Sequence, residues 1–292
     1  LKFEGRAFMN GKYVDAIDGE KFENINPATS DVLCSVAKCN HKDVDLAVKV
    51  SRKAFESGVW SKTAPEYRKE ILLKFAELLR KHGVENSVLE CVDTGKLIND
   101  CLNEVANDTP MHFQWYAELI DKTFGKVSAT DPSITSLIVK EPIGVVAGVV
   151  PWNFPLMMAV WKAAPALAAG CSVIIKPAED TPLSALKIAQ IASDAGIPDG
   201  VFNVLPGFGD VGEALGRHND VDAVSFTGST EVGGLFMKYS GESNLKTIGL
   251  EMGGKSPFLV LEDAKINDAL IDNAINSAFW NGGQNCSANM RQ

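Results

Sequence analysis

Continuous apolar segments alternate with helix-like segments from Pro142 onward. The first apolar segment, Val145–Val150, has no polar side chain and leads into a helix-like stretch at Pro155–Gly170. Further strand candidates, mainly apolar, follow at 172–176, 201–205 and 221–226. Strands with this composition are buried on both faces. Their alternation with helices predicts an α/β fold whose parallel sheet is covered by helices on both sides.

The part of the chain before the sheet has a different pattern. Short strand candidates separated by turn residues occupy residues 1–40. Asn40 and Asp43 are expected to open a helix, and Pro65 suits the first turn of a second one. A third helix is expected over 103–120. We interpret these helices as packing elements.

Residues 126–141 differ from the helices that precede them. Isoleucine, threonine, leucine and valine give the segment strand propensity, and Pro132 lies inside it. We interpret it as an exposed hairpin arm. It is a candidate oligomer contact, in a homodimer or homotetramer.

The charge balance and the cysteines narrow the function classes. The 292 residues carry a net charge of −9 without any run of Lys or Arg, which argues against a nucleic-acid partner or an anionic membrane surface. The six cysteines form no C-x-x-C pair, and the four histidines are scattered. We therefore expect reduced thiols in a cytoplasmic protein, and no metal site.

The apolar span 143–161 is long enough to cross a bilayer. Pro151, Asn153 and Pro155 interrupt it near its middle. Because such residues break a membrane helix, we expect a buried strand that passes through a turn into a helix, and no membrane contact.

Two glycine-containing turns compete for the phosphates of a nucleotide. Residues 207–212 match G-x-G-x-x-G and follow a predicted strand, but no Asp or Glu ends the next strand to hold a ribose. The second turn, at 226–233, also lies between a strand and a helix. Its Gly228 and Ser229 would offer donors at a helix N-terminus, although Ser229 has the simpler interpretation of an N-cap.

A ribose site is suggested by Lys176-Pro177-Ala178-Glu179, which follows a predicted strand directly. The Glu179 carboxylate can accept hydrogen bonds from the adenosine ribose, and it would repel a 2′-phosphate. Lys176 can donate to the same ribose. The segment therefore favours NAD over NADP, although in isolation it is an ordinary solvated loop.

The stretch 279–288 ends a helix-like segment and breaks at Gly282-Gly283. It presents Cys286 among small and polar residues. A lone cysteine is usually a small buried hydrophobe, which is our interpretation of the other five cysteines.

Several short sequence motifs, taken together and in this order, resemble those of the aldehyde dehydrogenase superfamily. The resemblance covers essentially the whole chain. The motifs are PWNFP at 151–155, KPAE at 176–179, FTGST at 226–230, LEMGGK at 250–255 and GQNC at 283–286, with DTGK at 93–96 and WYAE at 115–118. The resemblance implies an aldehyde dehydrogenase-like, Rossmann-type sheet and the start of a second α/β catalytic domain. We expect the NAD-binding domain at 1–253 and the incomplete catalytic domain at 254–292.

The resemblance also implies roles for individual residues. Cys286 matches the nucleophile, Glu251 the general base and Asn153 the oxyanion donor, while Met158 and Trp161 match positions that line the aldehyde tunnel. The implied cofactor-binding positions are Val149, Val150, Pro151, Trp152, Lys176, Ala178, Glu179, Gly209, Phe226, Thr227, Gly228, Ser229, Val232, Gly233, Leu250 and Gly253. Gly209 matches the adenine pocket, so the literal G-x-G-x-x-G is not expected to hold the phosphates.

The residue types suit this chemistry. A Cys286 thiolate would add to an aldehyde carbonyl, and the Asn153 amide would hold the oxyanion, a donor typically worth roughly 10²–10³ in rate. Hydride would pass to NAD, and water activated by Glu251 would release the carboxylic acid. Within the superfamily, the sequence most resembles the branch that acts on amino- or gamma-glutamylamino-aldehydes.

Three alternatives remain open. A CoA-acylating or semialdehyde enzyme of the same superfamily would tend to lack Glu251, and an inactive structural relative would not need Cys286. An ordinary Rossmann dehydrogenase would use the turn at 207–212. Superfamily members continue well beyond the nucleophile, so we expect the chain to be a fragment with little or no turnover by itself.

Overall fold

The computed structural model describes residues 2–286. Its strands are β1 (Ala7–Met9), β2 (Lys12–Val14), β3 (Lys21–Ile25), β4 (Val32–Ala37), β5 (Lys126–Ser128), β6 (Ser136–Ile138), β7 (Val145–Val149), β8 (Ser172–Lys176), β9 (Phe202–Val204), β10 (Ala223–Gly228) and β11 (Thr247–Met252). Its α-helices are α1 (His41–Ser57), α2 (Pro65–Lys81), α3 (Gly83–Thr94), α4 (Ile98–Asn103), α5 (Thr109–Leu119), α6 (Pro155–Ala169), α7 (Leu183–Ala195), α8 (Gly209–Arg217), α9 (Thr230–Gly241) and α10 (Asp268–Phe279). A π-helical turn, Glu104–Asp108, joins α4 to α5, and 3-10 turns occupy Ile120–Lys122 and Trp280–Gly283.

One seven-stranded sheet organises the fold, in the order β11-β10-β7-β8-β9-β1-β2. The strands from β7 to β11 pair in parallel, as the apolar segments predict. The sheet is mixed, however, because β1 pairs antiparallel with both β9 and β2. The Asn10-Gly11 turn, with both residues at positive φ, closes this edge hairpin.

Helices cover both faces of the sheet, and β8 shows why three consecutive residues, Val173, Ile174 and Ile175, are all apolar. Val173 and Ile175 pack into a core cluster with α2, α5, α6 and α7. Ile174, between them, belongs to the cluster formed with α1, α8 and α9. Successive strand side chains point to opposite faces, so a strand covered on both sides needs an apolar residue at every position. The predicted α/β architecture is confirmed.

The helix starts follow the predicted signals. The Asn40 side chain accepts from the Lys42 N–H, and the Asp43 carboxylate accepts from the Asn40 N–H at 2.9 Å, which completes a capping box for α1. Pro65 is the first residue of α2. The third predicted helix is interrupted, because the stretch 103–120 begins with the π-helical turn before α5.

Two segments carry exposed apolar residues. β5 and β6 pair antiparallel, with Val127 opposite Leu137, and form the hairpin predicted at 126–141. Both of these side chains are more than half exposed. No residue of α10 is buried. The oligomer contact and the domain boundary at 253 stay predictions.

Among residues 2–286, no helix is both long enough and apolar enough to cross a membrane. The apolar span at 143–161 instead becomes β7, a turn and the first part of α6.

Candidate active site

A cleft of roughly 710 Å³ lies where β7, β8 and β10 end and α9 begins. Sheets of this kind bind ligands at the carboxyl ends of their strands. The predicted site residues that line the cleft are Val149, Val150, Pro151, Trp152, Asn153, Met158, Lys176, Ala178, Glu179, Gly209, Phe226, Thr227, Gly228, Ser229, Val232, Gly253 and Cys286. The predicted residues outside this lining are Trp161, Gly233, Leu250 and Glu251.

Cys286 reaches the cleft through a tight turn. Helix α10 ends at Phe279, and Asn281, Gly282 and Gly283 then adopt positive φ angles of 52°, 65° and 75°. Such angles favour glycine and asparagine, which explains the sequence of the turn. Cys286 is exposed at the cleft. The remainder of the predicted stretch, Ser287 and Ala288, lies outside the described residues.

Asn153 forms hydrogen bonds with this turn. Its side-chain amide donates to the main-chain oxygen of Gln284 at 2.7 Å. In return, the Asn281 side chain donates to the main-chain oxygen of Asn153 at 3.3 Å. The two predicted catalytic segments are therefore joined by hydrogen bonds in both directions.

Glu251 lies inside β11, one residue before the strand ends at Met252. It pairs in register with Thr227 of β10 and is exposed. The chain after it runs close to the nucleophile, because a Cβ added at Gly254 would stand 3.6 Å from the Cys286 carbonyl oxygen. Its role as the base stays a prediction.

Lys162 was not anticipated from the sequence. Its buried ammonium donates to the Thr227 hydroxyl at 2.6 Å. Burial lowers the pKa of Lys162 to about 8, and the negative charge of Glu251 opposes that shift. The lysine stem fits because residue 148 is glycine: an added Cβ there would stand 3.3 Å from the stem. A glycine within an apolar strand was the available signal.

The predicted ribose ligands meet at the end of β8. Lys176 is buried, and its ammonium pairs with the half-exposed Glu179 carboxylate at 3.0 Å. The pair leaves the second carboxylate oxygen of Glu179 available to accept hydrogen bonds. Both residues and Ala178 border the cleft.

The predicted phosphate turn surrounds the start of α9. Ser229 is the N-cap, and its side-chain oxygen accepts from the Val232 N–H at 3.2 Å. Gly233 lies behind this turn, where an added Cβ would stand 2.5 Å from the Met252 sulfur. Leu250 packs against the core cluster on the same side. Gly233 and Leu250 therefore support the cleft from outside its lining.

The G-x-G-x-x-G segment opens α8, and Gly209 and Gly212 border the cleft. A Cβ added at Gly209 or Gly253 would meet no atom within 4 Å. These two glycines leave open space at the cleft surface.

The two predicted tunnel residues separate. Met158 is half-buried and lines the cleft, whereas Trp161 is about half exposed and packs near His112, with ring centroids 5.6 Å apart.

Within residues 2–286, no cluster of three or more His, Cys, Asp or Glu side chains could hold a metal ion.

Comparisons with known proteins identify the family of this chain. The model of the aldehyde dehydrogenase family matches residues 13–292. The chain belongs to the aldehyde dehydrogenase family. Among its relatives in that family, aminoacetaldehyde dehydrogenase from Pseudomonas aeruginosa is 50% identical over 292 residues, which are 100% of this chain and 59% of the relative. The NADP/NAD-dependent aldehyde dehydrogenase PuuC from Escherichia coli is 45% identical over 292 residues, with the same coverage of both chains.

A solved aldehyde dehydrogenase structure has the same fold. It is a mutant of P. syringae indole-3-acetaldehyde dehydrogenase in complex with NAD+ and IAA, with a TM-score of 0.97 and 48% identity over 99% of this chain and 58% of that chain. The chain thus spans about three fifths of the length of the aldehyde dehydrogenases it matches.

Proposed function

We propose that the full-length protein containing this chain oxidises an aldehyde to the carboxylic acid with NAD. The hydrogen bond from Asn153 to Gln284, two residues before Cys286, carries this proposal. It holds an amide donor beside a cysteine in the same cleft as a Lys–Glu pair suited to a ribose. An amide donor and an accessible thiol are what thiolate addition to a carbonyl requires.

The cleft residues fit a dinucleotide. Glu179 and Lys176 would hold the adenosine ribose, and Ser229 with the first amides of α9 would hold the phosphates. Gly209 and Gly253 leave room at the surface, since a side chain there would enter open space. Bound NAD would supply the acceptor for the hydride that leaves the carbonyl carbon. The complex of the P. syringae relative with NAD+ supports this choice, whereas PuuC is named for both cofactors.

Cys286 supplies the nucleophile. Its thiolate would form a bond to the aldehyde carbon, and the carbonyl oxygen would take up the negative charge. The Asn153 amide would then turn from the Gln284 oxygen to that oxyanion. One such donor is worth roughly 10²–10³ in rate.

Glu251 would complete the reaction. It would take a proton from a water molecule that attacks the thioester carbon, and the Cys286 sulfur would leave with the release of the carboxylic acid. Lys162, whose charge attracts that of Glu251, would hold Thr227 on the neighbouring strand.

Substrate, assembly and location follow as parts of the same proposal. The name of one relative, aminoacetaldehyde dehydrogenase, supports a small aliphatic aldehyde that bears an amino group. The exposed β5–β6 hairpin supports a homodimer or homotetramer. The six free cysteines support a cytoplasmic location.

The test uses the full-length protein with NAD and a panel of aliphatic, amino-substituted and aromatic aldehydes. The proposal predicts aldehyde-dependent formation of NADH with the carboxylic acid as the product. A folded protein that binds NAD but reduces none of it with any of these aldehydes would contradict the proposal. Substituting NADP in the same assay measures the cofactor preference.

A further inference from the structure

A buried cluster of charged side chains lies beneath the start of α6. The Lys96 ammonium contacts the Glu90 carboxylate at 3.3 Å and the Glu104 carboxylate at 2.7 Å. The three side chains are at most 7% exposed. Lys96 belongs to the DTGK motif at 93–96, which has no role in the cleft or in the proposed chemistry.

The cluster contacts the segment that carries Asn153. The second oxygen of Glu90 accepts from the Leu156 N–H at 3.2 Å, in the first turn of α6. The Lys96 ammonium lies 4.1 Å from the centre of the Phe154 ring, within the range of a cation–π contact. Asn153 directly precedes Phe154 and lies three residues before Leu156, so these contacts hold the backbone next to the residue from which the amide extends.

The same contacts continue to the Cys286 turn. The Phe154 ring packs against Trp280, with centroids 5.3 Å apart. Trp280 begins the turn that leads to Cys286. Phe154 therefore lies between the buried ammonium and the turn to which Asn153 donates its hydrogen bond.

The charges in the cluster can balance. Burial raises the pKa of both carboxyl groups, and that of Glu104 reaches about 8. With Glu104 protonated, one carboxylate faces one ammonium. Glu104 extends from the π-helical turn, a local distortion that proteins often place near functional sites.

We propose that Lys96 and Glu90 are positioning residues that hold the Asn153 amide against the Cys286 turn through Phe154 and Leu156. Neither side chain lines the cleft. This inference rests on the proposed aldehyde oxidation, because the position of Asn153 affects the rate only if its amide stabilises the oxyanion.

The test measures coupling between Lys96 and Asn153 in the full-length enzyme. Lys96→Met is made alone and together with Asn153→Ala, and kcat is expressed per active site. A charge-neutral variant, Lys96→Met/Glu90→Gln, removes both charges so that no lone buried charge opposes folding. This double variant is also made both in the wild-type protein and together with Asn153→Ala. We expect either change to lower kcat by about 10- to 100-fold with NAD affinity unchanged.

In the Asn153→Ala background, we expect the same changes to lower kcat no further, because residues that act through one another have non-additive effects. Equal losses in both backgrounds would overturn the inference. So would a lower unfolding temperature with kcat per active site unchanged, which is the result expected for a purely structural cluster.

The matched control is Asp43→Asn. Asp43 is also buried, and it accepts from the Ile17 and Asn40 N–H groups, both at 2.9 Å, outside the cleft. It should lower stability and leave kcat unchanged. A full-length wild type that oxidises no aldehyde refutes the proposed function, whereas an active wild type with additive losses refutes the positioning role alone.

Discussion

The side-chain nitrogen of Asn153 lies 2.7 Å from the main-chain oxygen of Gln284, to which it donates a hydrogen bond. Asn153 belongs to the turn after β7, and Gln284 belongs to the turn after α10. One bond therefore joins segments far apart in the chain, at the place where the proposed oxyanion would form. Hydrogen bonds in an active site often rearrange when the substrate binds, and this amide is already directed at the Cys286 turn.

Replacement of Asn153 by alanine should remove the oxyanion donor. We expect Asn153→Ala to lower kcat of the full-length enzyme by roughly 10²–10³. The affinity for NAD should change little, because the ribose pair and the α9 turn remain. Steady-state kinetics and equilibrium NAD titration measure the two quantities separately. Loss of NAD affinity with an unchanged kcat would be the opposite result.

Cys286 should react first with an alkylating reagent. Burial raises the pKa of Cys34 to about 11 and that of Cys101 to about 12, whereas Cys286 is exposed at the cleft. Timed alkylation followed by peptide mapping gives the order, and NAD should alter the rate at Cys286. Cys286→Ala is the control for the labelled peptide. Earlier labelling of Cys34 or Cys91 would speak against the nucleophile assignment.

Glu179 should set the cofactor preference. Its carboxylate at the end of β8 would repel a 2′-phosphate, so Glu179→Gln should reduce the preference for NAD over NADP by roughly tenfold, or about 1.4 kcal/mol. The ratio of kcat/KM for the two cofactors measures the change. Glu242→Gln, an exposed carboxylate at the far end of α9, serves as the control. An equal ratio in both variants would rule out the ribose role.

Lys162 should make stability depend on pH. Burial lowers its pKa from 10.5 to about 8 in the folded protein. Between pH 8 and 10.5 the unfolded chain therefore binds more protons at this group, and the free energy of unfolding rises with pH. Below that window the folded protein carries a buried ammonium at a cost of about 3 kcal/mol.

Urea unfolding of wild type and Lys162→Met across this pH window tests the sign of the effect. The stability of wild type relative to the variant should increase as pH rises. Lys238→Met removes an exposed lysine and should show no such trend. A flat or falling difference for Lys162→Met would contradict the pKa assignment.

The parallel centre of the sheet was predictable because β7 and β8 are buried on both faces. Ile174 and its neighbours must all be apolar, and the sequence displays this directly. Helix α3 was not anticipated, since its buried face contains Asn86, Ser87 and Glu90. Ser87 donates to the Cys101 carbonyl oxygen at 3.1 Å, and Glu90 pairs with Lys96 at 3.3 Å. Because this buried face is polar, no apolar periodicity appears in the segment.

The site was predictable as a set of residues, but only partly as an arrangement. The strand-end residues Lys176 and Glu179 could be placed from the strand that precedes them. Glu251 could not, because β11 alternates between exposed and half-buried residues and is not apolar throughout. Lys162 resembles a solvated helix lysine in sequence. Its burial depends on Gly148, in a strand that packs against α6.

In the proposed reaction, Cys286 carries the acyl group and Glu251 activates the water that releases it. The most direct measurement uses full-length Glu251→Gln, mixed with NAD and aldehyde and analysed by peptide mass mapping. Glu262→Gln, an exposed carboxylate in the following segment, is the matched control. We predict an acyl adduct on the Cys286 peptide of Glu251→Gln, one NADH formed per site, turnover slowed by roughly 10²–10⁴, and no accumulation in the control. An unmodified Cys286 with normal turnover, or an adduct on another cysteine, would contradict these roles of Cys286 and Glu251.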